Sequence, residues 1–170
     1  MLRVKAGQLS ELKELFDRYQ VRMYNYFLKL SFDTGASEDM TQNLFYRIIK
    51  YRKSFQYEQG SFKSWIYQIA RNVHVDYFKQ KRKHLQTIVN VDEYADQVQE
   101  TERAYSEDEL ERLNNAMLEL PDHHRELIVL SRYQGLKYEE IARIKDMSIG
   151  AIKVQIHRSI RQLKKIYFKQ

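Results

Sequence analysis

Helix-breaking residues are rare in this chain, and their positions constrain the fold more than any other feature. Across 170 residues there are five glycines and one proline, and Gly7, Gly35, Gly60 and Gly135 each stand where an apolar repeat of helical period stops. Leu9, Leu12, Leu15, Phe16, Tyr19, Met23, Tyr26, Phe27 and Leu30 mark a first helix. Met40, Leu44, Ile48 and Tyr51, with Phe45 and Ile49 beside them, mark a second that Thr34 or Ser37 can cap. Phe62, Trp65, Ile66, Ile69, Val73 and Tyr77 mark a third, from about Ser61 to Lys83. Three helices with short connections close a small bundle.

A second set follows. Leu110, Leu113, Met117 and Leu120 predict a helix from about Ser106, Pro121 suits the first turn of the next, and Leu127, Ile128, Leu130 and Tyr133 carry that one to Gly135. Two further helices, one short and one long, complete four. Between the two sets, His84 to Glu109 holds eight acidic residues against one Arg, a net charge of −7 that leaves +13 for the remainder. Without clear periodicity this stretch reads as a flexible tether, up to about 85 Å long when extended. The expectation is an all-α protein of two small helical bundles, 1–83 and 106–170, joined by an acidic linker at 84–105.

The chain has 43% hydrophobic residues and 13% aromatics, enough for packed cores. It has no Cys, which excludes disulfides and Cys-ligated zinc. No segment has the apolar core of a signal peptide or the length of a membrane span, so a cytoplasmic protein without membrane insertion is expected. A net charge of +6 points to a polyanionic partner.

The densest pattern lies near the C-terminus. Tyr138, Ile141, Ala142 and Ile144 form a short amphipathic repeat, Lys145, Asp146 and Met147 interrupt it, and Ser148 can cap a second helix running to about Tyr167. Two helices across so tight a turn form a helix-turn-helix candidate. On the second, Ile149, Ile152, Ile156, Ile160 and Leu163 make one apolar stripe. The other face carries Gly150, Lys153, Val154, His157, Arg158 and Arg161, small at the start and cationic beyond it, which suits a DNA major groove. A basic helix closing an ordinary bundle would carry similar charge.

The run LPDHHRELIVLSRYQGLKYEEIARIKDMSIGAIKVQIHRSIRQL resembles region 4 of the extracytoplasmic-function (ECF) group of bacterial sigma factors. Two positions depart from that pattern: Lys137 stands where Ser or Thr commonly caps the first helix, and Lys145-Asp146 fills a turn that often carries Gly or Asn. The resemblance implies that Ser148, Gly150, Lys153, Val154, His157, Arg158 and Arg161 meet the minus-35 promoter element.

The first bundle adds a second signal. Its third helix ends in Arg71, Asn72, Asp76, Lys79, Lys81, Arg82 and Lys83, while Phe55, Tyr57, Phe62, Trp65 and Tyr67 lie before or at its start. Cations beside accessible aromatics suit single-stranded nucleic acid, with charge along the backbone and rings on unpaired bases. Phe55 and Tyr57, in a loop ending at Gly60, are expected to be free to meet a base, whereas Phe62 and Trp65 can equally be core.

EDMTQNLFYRIIKY is similar to sigma region 2.2, and SFKSWIYQIARNVHVDYFKQKRK to regions 2.3 and 2.4. The resemblance implies that Asp39, Gln42, Asn43, Tyr46 and Arg47 dock on the clamp coiled coil of core RNA polymerase. It likewise implies that Lys63, Trp65, Arg71, Asn72, Asp76 and Lys79 recognise and melt the minus-10 element, and that the linker runs toward the polymerase active-site channel. The partners so implied are core polymerase and promoter DNA, duplex and melted, with an anti-sigma factor as a further partner the family allows.

Catalysis finds little support. His123 and His124 are adjacent and so diverge on a helix, and neither an HExxH pair nor a Gly-rich phosphate loop occurs. No cofactor or metal is implied. A helix-turn-helix regulator with a helical sensor block accounts equally well for the C-terminal half, but it leaves the aromatic and basic third helix without a use.

Overall fold

The computed structural model of the chain describes residues 1–87 and 107–169. Every regular element in them is helical, and the chain divides into two compact units, Met1–Asp96 and Gln97–Gln170. The expected all-α architecture of two helical clusters is what the chain adopts.

The first unit contains α1 (Leu2–Lys5), α2 (Leu12–Ser31), α3 (Thr34–Lys50) and α4 (Phe62–Thr87). α3 packs against both α2 and α4. Its row Met40, Leu44 and Ile48 is buried, as are Met23, Tyr26, Phe27 and Leu30 of α2 and Ile66, Ala70 and Val73 of α4. The period of 3.6 residues brings these side chains to one stripe per helix. Tyr26 meets Tyr67 edge-on at 5.4 Å, and Arg22 Nε donates to the Tyr67 hydroxyl at 3.1 Å.

Four local expectations change. α3 is capped by Asp33, whose Oδ1 accepts the Ala36 N–H at 2.8 Å, while Ser37 lies buried inside the helix and Thr34 opens it. The sharp turn that ends α2 falls on Phe32, left-handed at φ 54°, so Gly35 sits within the first turn of α3 instead of between helices. The first helix also starts later than Leu9, which belongs to a short 3-10 turn and is exposed. α4 runs on to Thr87, past the expected boundary at Lys83. The remainder of the expected acidic linker, with its proposed course, lies outside the described residues.

The second unit contains α5 (Glu107–Glu119), α6 (Asp122–Ile128), α7 (Tyr138–Lys145) and α8 (Ile149–Tyr167). Pro121 precedes α6, as its missing N–H and fixed φ favour. α6 continues into a π-helical segment, Val129–Tyr133, in which the Gln134 N–H reaches the Val129 carbonyl, and Gly135 at φ 60° then turns the chain. α6 and α5 both pack on α8. Met117, Leu120, Leu127, Ile128, Leu130, Ile141, Ile152 and Ile156 form the core.

Arg125 closes the end of α5. Its guanidinium donates to the carbonyl of Met117 at 2.8 Å, which also accepts the Leu120 N–H at 3.3 Å, and to those of Leu118 at 2.6 Å and Leu120 at 3.0 Å, which would otherwise be orphaned at a helix C-terminus. Burial pushes its pKa below the ordinary value, and Asp122 opposes that shift. Because removing it strands those acceptors and empties packed volume, Arg125→Ala should destabilise the second unit by about 2–4 kcal/mol. Chemical denaturation of the full chain, followed by a probe in that unit, measures the loss; a change below about 0.5 kcal/mol would contradict the capping role.

Candidate functional site

The outer face of α8 is an exposed cationic surface of the second unit. Ser148 Oγ caps the helix by accepting the Ala151 N–H at 3.2 Å. Ile152, Ile156 and Ser159 are buried, and His124 Nδ1 hydrogen-bonds the Ser159 hydroxyl at 2.8 Å as that hydroxyl donates to the Gln155 carbonyl. Burial and the neighbouring His123 hold the His124 pKa below its ordinary value. With that side fixed, Gly150, Lys153, Val154, His157, Arg158 and Arg161 all face solvent, and Val154 is 50% exposed. α8 contains no acidic residue, so every charge on its outer face, from Lys153 onward, is positive.

α7 is set at its angle by the turn. Asp146 adopts the left-handed conformation at φ 52° that Gly or Asn usually supplies, and Lys145 turns inward to an ion pair with Glu126, both side chains about a tenth exposed. Lys137 provides no side-chain acceptor, but Glu140 accepts the Lys137 N–H at 2.8 Å and so satisfies one amide at the start of α7.

In the first unit, the connection from α3 to α4 and the start of α4 form the aromatic surface. Gly60 takes a backbone conformation open only to glycine, φ 155° with ψ 171°, and Ser61 Oγ then accepts the Ser64 N–H at 3.2 Å to begin α4. Phe55 is not free to meet a base. It is 2% exposed, with its ring 5.4 Å from Trp65 and 6.1 Å from Phe62. Sequence reasoning placed it in a loop and could not see that the loop folds back on α4. Tyr57 is 66% exposed, as expected. Trp65 and Phe62 are half-buried members of the same cluster. Along α4, Asn72 and Lys79 are exposed, and Lys63, Arg71 and Asp76 are partly so.

A third surface lies on α3. Asp39, Gln42, Asn43 and Tyr46 are exposed beside the buried row. Arg47 belongs to the same strip by spacing, yet its side chain is only 21% exposed: Nη1 reaches Asp76 of α4 at 2.7 Å and Nε donates to Asn43 Oδ1 at 3.0 Å. Next to the strip, α2 and α3 form a groove of about 340 Å³ lined by Phe16, Val21, Tyr24, Thr41, Gln42 and Phe45.

A model for sigma-70 region 2 matches residues 15–84, and one for sigma-70 region 4 matches residues 110–163. Over 169 residues the chain is 32% identical to the ECF RNA polymerase sigma factor BldN of Streptomyces coelicolor, covering 96% of this chain and 63% of BldN. With the ECF RNA polymerase sigma factor SigM of Bacillus subtilis it shares 29% identity over 161 residues, covering 92% of this chain and 94% of SigM. The chain belongs to the ECF group of the sigma-70 family of RNA polymerase sigma factors.

Two solved structures share its fold. The sigma factor RpoE of Bartonella quintana, in complex with the anti-sigma factor NepR, superposes with a TM-score of 0.74 at 23% identity, over 91% of this chain and 94% of that one. CnrH, in complex with the cytosolic domain of CnrY, gives 0.74 at 18% identity, over 99% and 95%. A sigma factor is not itself an enzyme. Among the described residues no helix is long and apolar enough to cross a membrane.

Within this sigma factor, sequence reasoning missed the groove. Phe16 belongs to the apolar repeat that marks the first helix, yet it is exposed at the groove, 4.7 Å from Phe45. Val21, 65% exposed, stands off that repeat; an apolar residue on an otherwise polar helix face was the available signal.

Two predictions concern α8. A Cβ added at Gly150 would meet nothing within 4 Å in the free protein. Gly150→Ala should therefore stabilise the chain by roughly 0.4–1 kcal/mol, and a methyl group that also obstructs close DNA approach should lower affinity for the upstream element. Improved stability with unchanged DNA affinity would show that no close approach occurs there. Arg158→Ala should cost about 1–3 kcal/mol at the preferred upstream element and relax base preference at one position. A uniform loss over all sequences would make Arg158 a phosphate contact instead.

Proposed function

We propose that this chain binds core RNA polymerase, directs it to promoters with two elements and helps to open the DNA. The observation that carries this reading is the presence of two surfaces of different chemistry in one sigma chain. One is an acid-free helix face suited to duplex DNA; the other is an aromatic and cationic surface suited to unpaired bases.

In this reading Ser148, Gly150, Lys153, Val154, His157, Arg158 and Arg161 read the minus-35 element. Tyr57 stacks on an unpaired base of the minus-10 element, with Lys63, Trp65, Arg71, Asn72, Asp76 and Lys79 around it. Phe55 supports that surface from beneath. The polymerase docks on Asp39, Gln42, Asn43 and Tyr46, and the apolar groove beside them extends the same surface. Arg47 joins the docking strip to α4 through Asp76. An anti-sigma factor is a further partner in this reading, supported by the complex of the sigma factor RpoE with the anti-sigma factor NepR. The polymerase supplies the chemistry of transcription.

Docking is tested with side chains whose loss spares the fold. Arg47→Glu would set two carboxylates together at Asp76, so exposed Gln42 and Tyr46 are the better pair. Gln42→Ala with Tyr46→Ala should change stability by under about 1 kcal/mol while weakening core binding by 2 kcal/mol or more, about thirtyfold. Affinity for core enzyme and transcription reconstituted from purified components should fall together. A folded double variant with full transcription would remove the docking surface, and failure of the unaltered chain to bind core would favour a simple helix-turn-helix regulator.

A further inference from the structure

Lys5 lies before the residues matched by the region 2 model, and no surface described above uses it. α1 is nevertheless built into the first unit. Val4 is fully buried, α1 packs against the turn Arg52–Ser54, and Lys5 Nζ donates to the carbonyl oxygen of Phe55 at 2.6 Å across fifty residues of sequence. Hydrogen bonds made by the turn itself are local. Arg52 Nη1 reaches the Ile49 carbonyl at 2.8 Å, Ser54 Oγ the Tyr51 carbonyl at 2.8 Å, and the Phe55 N–H the Arg52 carbonyl at a long 3.4 Å. These shape the turn and tie it only to the end of α3, from which it directly continues.

Phe55 is thus held twice, by its ring against Trp65 and by its carbonyl on Lys5. The second hold has a geometric consequence. A buried ring leaves ψ of its own residue free, whereas a fixed carbonyl oxygen fixes the whole planar peptide that leads into the next residue. Phe55 at ψ 125° and Gln56 at ψ 113° then carry an extended chain to Tyr57, whose ring is exposed. The direction in which Tyr57 leaves the domain therefore depends on the plane that Lys5 sets.

We propose that Lys5 is a positioning residue for the promoter-opening loop: by holding the Phe55 carbonyl it aims Tyr57 and sets base preference in the melted strand. This rests on the reading of Tyr57 given above. The test uses holoenzyme assembled from core polymerase and the full chain, on a promoter selected by that holoenzyme from a random library. The downstream element carries 2-aminopurine and is varied through all four bases at each melted position. Lys5→Met keeps the aliphatic stem and removes the donor. It should reduce opening and flatten preference among the four bases at one position by about three- to tenfold, with core affinity and Tm unchanged, and Lys5→Arg should restore both.

Unaltered preference in Lys5→Met would overturn the proposal, as would a joint fall of Tm, core affinity and opening, which is what a merely structural contact gives. Tyr57→Ala separates the two levels. If it opens DNA with full preference, the reading of Tyr57 fails and this inference with it; if it is impaired while Lys5→Met is not, the role of Lys5 alone is lost.

Discussion

Burial of Met40, Leu44 and Ile48 on α3 is the interaction on which the first unit depends, because α3 is the helix that both α2 and α4 pack against. A helix that gives one stripe to the core has only the remaining arc for partners. On α3 that arc holds Asp39, Gln42, Asn43 and Tyr46, and the α2 side adds the apolar groove of Phe16 and Val21. Toward α4 the same helix ends its polar strip in the Arg47–Asp76 pair. That pair is partly exposed, so its direct worth to stability is modest, on the order of 1 kcal/mol or less. Its larger consequence is geometric, since it links the helix proposed to dock on polymerase to the helix proposed to meet the melted strand.

The second unit uses the same division with a deeper electrostatic element. α8 gives Ile152, Ile156 and Ser159 to the core and keeps its cations outside. The Lys145–Glu126 pair, nearly buried, fixes the turn end of α7 to α6. Such a pair gains little over an apolar contact, because desolvating two charges offsets most of their attraction, but removing one partner leaves the other charged and buried. It therefore specifies an arrangement more than it adds stability. The arrangement it specifies is the angle of α7 relative to the core that holds α8.

The helices were legible because their apolar period is long and seldom broken, and the Ser148 cap because a short polar side chain stood at the break. What could not be read depended on contacts distant in sequence or on unusual backbone. Phe32 makes a left-handed turn that sequence assigns to glycine, which shifted the cap from Thr34 or Ser37 to Asp33. Phe55 sits among turn residues and is buried only because Trp65 and Phe62 come back over it. Arg47 has the spacing of an exposed strip, and only the packing of α4 discloses Asp76 as its partner. Phe16 belongs to an apolar repeat that α3 does not wholly cover. For the surfaces proposed to meet nucleic acid, residue type and spacing identified Tyr57 and the face of α8 as exposed, since cations and aromatics outside an apolar stripe have few other places to go.

The size of the α8 face bears on why the proposed function needs both units. Lys153, Arg158 and Arg161, with exposed Lys164 and Lys165 in the last turn of the helix, are at most five full cations, enough for a salt slope of roughly −3 to −4.5 in duplex binding. A contact of that extent gives weak, non-specific affinity by itself, and one or two base pairings add about 1–3 kcal/mol each. Selection of a promoter among a genome of competing sites therefore does not follow from α8 alone. Holding this face and the Tyr57 surface on one polymerase converts the second contact into an intramolecular one, at an effective concentration set by their spacing. Discrimination then comes from two modest readings made together, and only after opening can the stacking at Tyr57 be realised. In the proposed function that order places the duplex reading of α8 at recruitment and the aromatic reading of the first unit at commitment, with the polar strip of α3 required for both.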